Sequence, residues 1–198
     1  MIPVGGSNGV GATGYVLAMM ELAQQLDGMN RRIDHVIFAS SSGGTQAGIV
    51  VGAKVTGFKG KVHGVSIDWV ESDAATYERE LADIADEAAK YVGFNAQFAA
   101  CDFTVVYDYL GDGYGIVGDL EREAIRLLAS REGIVVDPVY TGRAMGALLD
   151  LIRKKAFRSD ETVLFWHTGG APALFAYAKD LTPDISYRSA GSRAAPSE

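Results

Sequence analysis

Residues His35-Val36-Ile37-Phe38-Ala39 form an apolar run that ends in Ser40-Ser41-Ser42-Gly43-Gly44-Thr45, and an apolar, Gly- and Ala-rich stretch opens at Gln46-Ala47-Gly48. A short apolar run closed by a small-residue loop reads as a buried strand over Val36–Ala39, and the stretch after it as a helix over Gln46–Thr56. A strand that feeds a glycine loop into a helix is the opening of a parallel-sheet unit, because parallel strands need a crossover. The same junction builds an anion cradle. Free backbone N–H groups and the positive end of the helix dipole converge there, glycines let the backbone approach, and hydroxyls add donors. No Gly-Lys-Ser/Thr follows, so the loop is not a Walker A sequence and argues against nucleoside triphosphates. A cradle without its own lysine suits a single terminal phosphate monoester. A ligand-free Gly/Ser turn is the plainer alternative.

The rest of the chain continues the alternation. Gly11–Leu26 carries Val16, Met19, Met20 and Leu22 at helical spacing. Val62–Ile67 reads as a strand. Ser72 is a candidate cap for a helix running to about Tyr91, with Glu and Asp in its early turns. Phe103–Tyr107 is a strand before the glycine loop Gly111-Asp112-Gly113-Tyr114-Gly115. Leu120–Ser130 is an amphipathic helix, Ile134–Val136 a short strand before Asp137-Pro138, and Ala144–Lys154 a helix with a basic end. Thr162–Trp166 is an apolar strand ending at Thr168-Gly169-Gly170, and Ala173–Lys179 the last helix. The expected fold is α/β: a parallel twisted sheet flanked by helices on both faces, one domain over residues 1–181. The polar segment 182–198 reads as a disordered tail. Ligands of such sheets bind at the carboxyl ends of strands. Ser40–Thr45, Gly111–Gly115, Tyr140-Thr141 and Thr168–Gly170 all fall there, which predicts one site.

Charge and composition exclude several classes. A net charge of −7 disfavours a nucleic-acid surface. No apolar stretch reaches membrane-spanning length, and a signal-peptide pattern is absent from the start, so a cytoplasmic protein is expected. The single Cys101 allows no internal disulfide and reads as a small buried residue near a strand start. His35, His63 and His167 have no zinc-like spacing and read as packing or loop residues. Gly9-Val10-Gly11-Ala12-Thr13-Gly14 matches G-x-G-x-x-G, yet only a few residues precede it and the next strand ends Phe38-Ala39-Ser40 with no acid for a ribose. Close helix packing explains those glycines better than a nicotinamide. Tyr114 and Tyr140 are tyrosines on loops of the expected site and are candidates for general acids or stacking groups. The Thr168 hydroxyl ends a strand, where it suits a ring nitrogen or a helix cap.

Taken together, Ile2-Pro3-x-Gly5-Gly6-Ser7-Asn8, Gly11-x-x-Gly14-Tyr15, Ser41-Ser42-Gly43-Gly44-Thr45-Gln46-Ala47-Gly48, Asp137-Pro138-Val139-Tyr140-Thr141-Gly142 and His167-Thr168-Gly169-Gly170 occur in that order. In this the chain resembles the D-cysteine desulfhydrase and 1-aminocyclopropane-1-carboxylate (ACC) deaminase family, pyridoxal-phosphate enzymes of the tryptophan-synthase-β-like fold (fold type II). The resemblance covers residues 2 to about 180. It implies pyridoxal 5'-phosphate as cofactor and a small amino acid as substrate. Ser42, Gly43, Gly44 and Thr45 would hold the phosphate, Tyr114 and Tyr140 would be the catalytic tyrosines, and Thr168 would face the pyridine nitrogen with Thr141 beside it. A neutral hydroxyl there weakens the electron sink relative to a carboxylate. ACC deaminases typically carry Glu after the second tyrosine and Leu in place of the threonine. Thr141 and Thr168 therefore point to the desulfhydrase branch and α,β-elimination of D-cysteine to pyruvate, ammonia and hydrogen sulfide.

The resemblance also implies what the chain lacks. Family members are much longer and carry their Schiff-base lysine in an N-terminal part that this chain starts after. Lys54, Lys59, Lys61, Lys90, Lys154, Lys155 and Lys179 match no position of that motif. The expectation is a truncated family domain, the phosphate-binding large lobe, inactive alone. It would be completed by the missing N-terminal lobe or paired as a homodimer. ACC deaminase specificity and a non-catalytic cofactor-binding lobe are the alternatives.

Overall fold

The computed structural model describes residues 2–181, so the expected tail lies outside the described residues. Ten principal elements alternate along the chain: α1 (Gly9–Gly28), β1 (His35–Ser40), α2 (Gly44–Thr56), β2 (Lys61–Ser66), α3 (Ala74–Tyr91), β3 (Thr104–Val106), α4 (Asp119–Glu132), α5 (Thr141–Arg153), β4 (Val163–Phe165) and α6 (Ala178–Leu181). The strands form a four-stranded sheet in the order β3-β2-β1-β4. Every pairing is parallel: His35 to Ser40 lies opposite Lys61 to Ser66, His35 to Ile37 opposite Val163 to Phe165, and His63 to Val65 opposite Thr104 to Val106.

All six residues of β1 are buried, as the apolar run requires of a strand covered on both faces. Its side chains alternate. Val36 and Phe38 pack with Met19 of α1 and Ile49 of α2, whereas Ile37 and Ala39 pack with Ala144, Ala147 and Leu148 of α5. Helices α1, α2 and α3 thus cover one face and α4 and α5 the other. The crossing of α1 on α2 is held close by glycines. A Cβ on Gly48 would lie 2.3 Å from the Ala12 carbonyl oxygen, and one on Gly52 2.5 Å from Met19 Cβ. Backbone cannot yield as a side-chain tip does, so Gly48→Ala is expected to destabilise by about 1–3 kcal/mol through overpacking. A fall in the urea midpoint with unchanged slope measures it.

Four local expectations are corrected. Ile134–Val136 is not a strand. The segment leaves α4 through the left-handed Gly133, with Ile134 and Val135 exposed, and Val135 gives its carbonyl to His167 rather than to a ladder. Ser72 does not cap α3: it lies in the 3-10 turn Glu71–Asp73, and the helix starts at Ala74 after Asp73. The last helical segment is split into a 3-10 turn, Ala171–Phe175, and α6. Cys101 is exposed, on the 3-10 turn Ala100–Asp102 beside β3. The dinucleotide-like glycines fall inside α1. There a Cβ on Gly9 would meet Glu87 and one on Gly11 the Gly6 carbonyl, so close packing accounts for both.

At the amino edge of the sheet, His35 Nδ1 lies 3.0 Å from His63 Nε2, and His35 Nε2 lies 3.3 Å from Glu161 Oε2. Burial first, then the His35 ring and Lys61, push the His63 imidazole down to about 4. Folded His63 therefore refuses a proton that the unfolded chain accepts below its ordinary ~6.5. Stability is expected to fall as pH drops from about 6.5 to about 4. The slope stays below ~1.4 kcal/mol per pH unit, the limit for one proton, because the ring is only partly buried and solvent screens it. Urea titrations across that window should show the slope flattened in His63→Asn.

Candidate active site at the carboxyl edge of the sheet

The site is assembled where β1 and β4, neighbours in space but distant in sequence, release their loops. Ser40, the last residue of β1, is buried and works for the fold. Its hydroxyl donates to Gln46 Oε1 (2.7 Å) and lies 2.8 Å from the Tyr77 hydroxyl. Gln46 in turn donates to the Thr104 carbonyl of β3 across Gly64, where a Cβ would lie only 2.1 Å from Gln46 Oε1. This network fixes the direction in which the next residues leave the sheet.

Those residues form the cradle. Gly43 precedes α2 with φ +90°, a conformation that favours glycine, and a Cβ there would press into Leu81. The first turn of α2 has no acidic residue, and its N-cap Gly43 has no side chain to cap it, so its amides keep their positive potential. The Gly44 amide donates to the Ser7 hydroxyl at 3.1 Å, and Ser7 donates to Ser42 at 2.7 Å. An oxygen thus already stands where an oxyanion would accept from Gly44. Exposed Ser42 and half-buried Thr45 add hydroxyls beside it. Donor amides, hydroxyls and glycines with no carboxylate in the turn are a set that fits a phosphate group.

The two tyrosines meet. The Tyr114 and Tyr140 hydroxyls lie 2.5 Å apart, with the rings edge to face at 6.0 Å between centroids. Both rings reach solvent. The hydrogen bond with Tyr114, with burial and the charges of Asp68 and Asp137, pushes the Tyr140 phenol up to about 12. Asp68, whose charge reaches Tyr140, accepts from the Ser41 hydroxyl of the cradle loop at 2.6 Å.

Thr168 is exposed at the carboxyl end of β4, between His167 and the left-handed Gly169 and Gly170. Thr141, in contrast, is fully buried. Its hydroxyl donates to Asp137 Oδ1 at 2.6 Å and accepts from the Asp137 amide at 2.9 Å. The structure places it beneath the site rather than on its surface. Asp137 also accepts from the amides of Val139, Tyr140 and Thr141. It thereby neutralises the N-terminus of α5, so α2 and not α5 offers the anion site.

Six of the seven lysines stand away from this edge. Lys54 and Lys90 close α2 and α3, Lys59 and Lys61 open β2, and Lys154 and Lys155 follow α5, all toward the amino edge. Lys179 lies in α6, whose Asp180 carbonyl binds Arg122 of α4.

A parallel sheet with a glycine-lined donor cradle at its carboxyl edge defines an α/β lobe of the cofactor-binding kind. The chain belongs to the pyridoxal-phosphate dependent enzyme family, whose model matches residues 1–169. The cofactor of that family is pyridoxal phosphate. Among solved structures, the chain is similar to an ACC deaminase homologue, at 33% identity and TM-score 0.79, covering 91% of this chain and 52% of that one. It shares its fold with O-ureido-L-serine synthase (15% identity, TM-score 0.55, covering 94% and 53%). It also shares it with threonine deaminase isoform 2 of Solanum lycopersicum (17% identity, TM-score 0.54, covering 85% and 48%). The chain spans about half the length of these proteins. The parallel sheet flanked by helices is the fold-type II arrangement that the sequence predicts.

Sequence reasoning missed Asp68, Asp137 and Ser7. Asp68 had a signal, since it follows the apolar Val65-Ser66-Ile67 at a carboxyl strand end. Asp137 stands four residues before Thr141, an acid-before-helix pattern that reads as a cap. Ser7 had none, because only the folding of the N-terminal turn over α2 brings it to Gly44.

Proposed function

We propose that this chain is the phosphate-binding lobe of a pyridoxal-phosphate lyase that removes hydrogen sulfide and ammonia from D-cysteine. Pyruvate forms with consumption of one water. The observation that carries this reading is the Tyr114–Tyr140 hydroxyl pair together with a cradle whose helical turn holds no carboxylate. Ser42, Gly43, Gly44 and Thr45 hold the phosphate, with Ser7 rotating from the Gly44 amide. Thr168 offers its exposed hydroxyl to the pyridine nitrogen, and buried Thr141 orients the turn below. Bound pyridoxal phosphate supplies an electron sink for a carbanion at the α-carbon. The Tyr140 phenol, pushed up to about 12, stays protonated at neutral pH, so it would orient a departing sulfur as a hydrogen-bond donor rather than act as a base. The lysine that carries the cofactor and the groups that bind the substrate carboxylate come from outside these residues, either from an N-terminal lobe or from a different subunit.

A second reading, ACC deaminase activity, is supported by the 33% identity to the ACC deaminase homologue. Thr141 and Thr168, where the deaminases of the family carry Glu and Leu, favour D-cysteine. The test is to join the chain to the N-terminal half of that homologue and compare D-cysteine, L-cysteine and ACC. Pyruvate and sulfide from D-cysteine support the proposal, whereas 2-oxobutyrate from ACC alone replaces it with the second reading.

The chain by itself is expected to bind pyridoxal phosphate reversibly. Borohydride should fix no label on any single lysine peptide, and D-cysteine should yield no pyruvate. A label fixed on one lysine would move the chemistry into this chain.

A further inference from the structure

The side chain of Arg143 has no exposed surface, and Glu121 beside it is 2% exposed. Burying both charges is costly, so the pair needs a purpose beyond stability. Arg143 Nε donates to Glu121 Oε1 at 2.6 Å. Its Nη1 donates to the Gly113 carbonyl at 3.0 Å and the Ile67 carbonyl at 3.3 Å, and its Nη2 to the Ile116 carbonyl at 2.8 Å. Gly113 and Ile116 flank Tyr114 on its two sides. Their own loop is weakly tied, with Gly113 N to Leu110 O and Ile116 N to Gly113 O both at 3.3 Å. The loop also holds left-handed glycines at 111, 113 and 115. On its own helix, Arg143 lies one turn after Tyr140. The second Glu121 oxygen accepts the Gly118 amide at 2.8 Å and closes the far end of the same loop.

We propose that Arg143 and Glu121 are positioning residues for the tyrosine pair: one guanidinium, locked by one carboxylate, clamps the Tyr114 loop by two carbonyls onto the helix that bears Tyr140. The planar fork of arginine makes this feasible, because it reaches several acceptors at once from a fixed stem. A lysine has three donors on one nitrogen and cannot span the four acceptors that the arginine reaches from three nitrogens. The catalytic meaning of the clamp rests on reading Tyr114 and Tyr140 as active-site groups. The clamp itself does not.

The test is a pH titration of the full chain labelled with 13C at the tyrosine ζ carbon, followed by NMR, for the native protein, Arg143→Lys and Glu121→Gln. Tyr140→Phe assigns the signal. In the native chain Tyr140 should titrate near the elevated value set by Tyr114, Asp68 and Asp137, the groups that face it. In both variants it should return toward the ordinary ~10. Tyr77 and Tyr107, raised chiefly by burial elsewhere, should stay high and report that the fold is intact. A Tyr140 titration unchanged while Tyr77 stays high overturns the clamp. If every tyrosine falls together, the variants have unfolded and native-state hydrogen exchange on the unaltered chain decides instead. Exchange of the Arg143 Nε proton and the Ile116 amide in one concerted opening supports the clamp, and independent openings overturn it. No substrate enters either measurement, so failure of the D-cysteine reading and failure of the clamp remain separate results.

Discussion

Replacing Glu121 by alanine is expected to lower the unfolding free energy by about 3–5 kcal/mol, because it strands the Arg143 guanidinium in the interior without its carboxylate. Arg143 has no exposed surface and donates to Glu121 at 2.6 Å. The backbone carbonyls of Ile67, Gly113 and Ile116 remain as acceptors but carry no charge to balance it. The same change removes the acceptor of the Gly118 amide at the start of α4. Equilibrium urea unfolding followed by circular dichroism reads the loss as a lower midpoint. The paired replacement of Arg143 by Met and Glu121 by Leu should cost less than Glu121→Ala alone, since it removes both charges from the interior. If the single and double variants lose equal stability, the desolvated charge is not the cause.

Asp137→Ala is expected to cost at least about 3 kcal/mol, since it leaves three inward-facing amides without partners. Asp137 is fully buried, and its carboxylate accepts from Val139, Tyr140 and Thr141 amides and from the Thr141 hydroxyl at 2.6–2.8 Å. Asp137→Asn keeps the shape but presents N–H where N–H already points, so it should recover only part of the loss. The alanine variant should also blur Tyr140, whose amide the carboxylate holds. In the ζ-carbon titration its signal should broaden and fall toward ~10 even at temperatures where the chain stays folded. A sharp, elevated Tyr140 signal in folded Asp137→Ala would show that helix α5 positions the ring without its cap.

The apolar pattern of His35–Ala39 was enough to place the central strand, and the small residues after it were enough to place the cradle. These are legible because a buried strand has a short apolar run and a close backbone approach needs glycine. The order of motifs was enough for the pyridoxal-phosphate dependent enzyme family and its cofactor. Ile134–Val136 misled because three apolar residues before Asp137-Pro138 have strand composition, while strand formation needs a neighbour with free backbone groups. The structure gives Val135 only a histidine. Cys101 misled for a similar reason: composition favours burial of cysteine, but the turn before β3 turns it outward. Thr141 and Thr168 look alike as hydroxyls near a site. One opens α5 and is sealed against Asp137, and the other is exposed in the loop after β4.

By itself the sequence determined the parallel α/β class and the glycine-lined loop at Ser42–Thr45, because these follow from local periodicity and from residues whose neighbours in sequence are their neighbours in space, while the pyridoxal-phosphate enzyme family followed from the resemblance of its ordered motifs. Only the tertiary structure decided that Tyr114 and Tyr140 touch, that Ser7 occupies the Gly44 amide, and that Arg143 and Glu121 bind the tyrosine loop to its helix. Those contacts join residues 22 to 37 positions apart. No local pattern encodes such distances, since they depend on how sheet and helices pack around a common core.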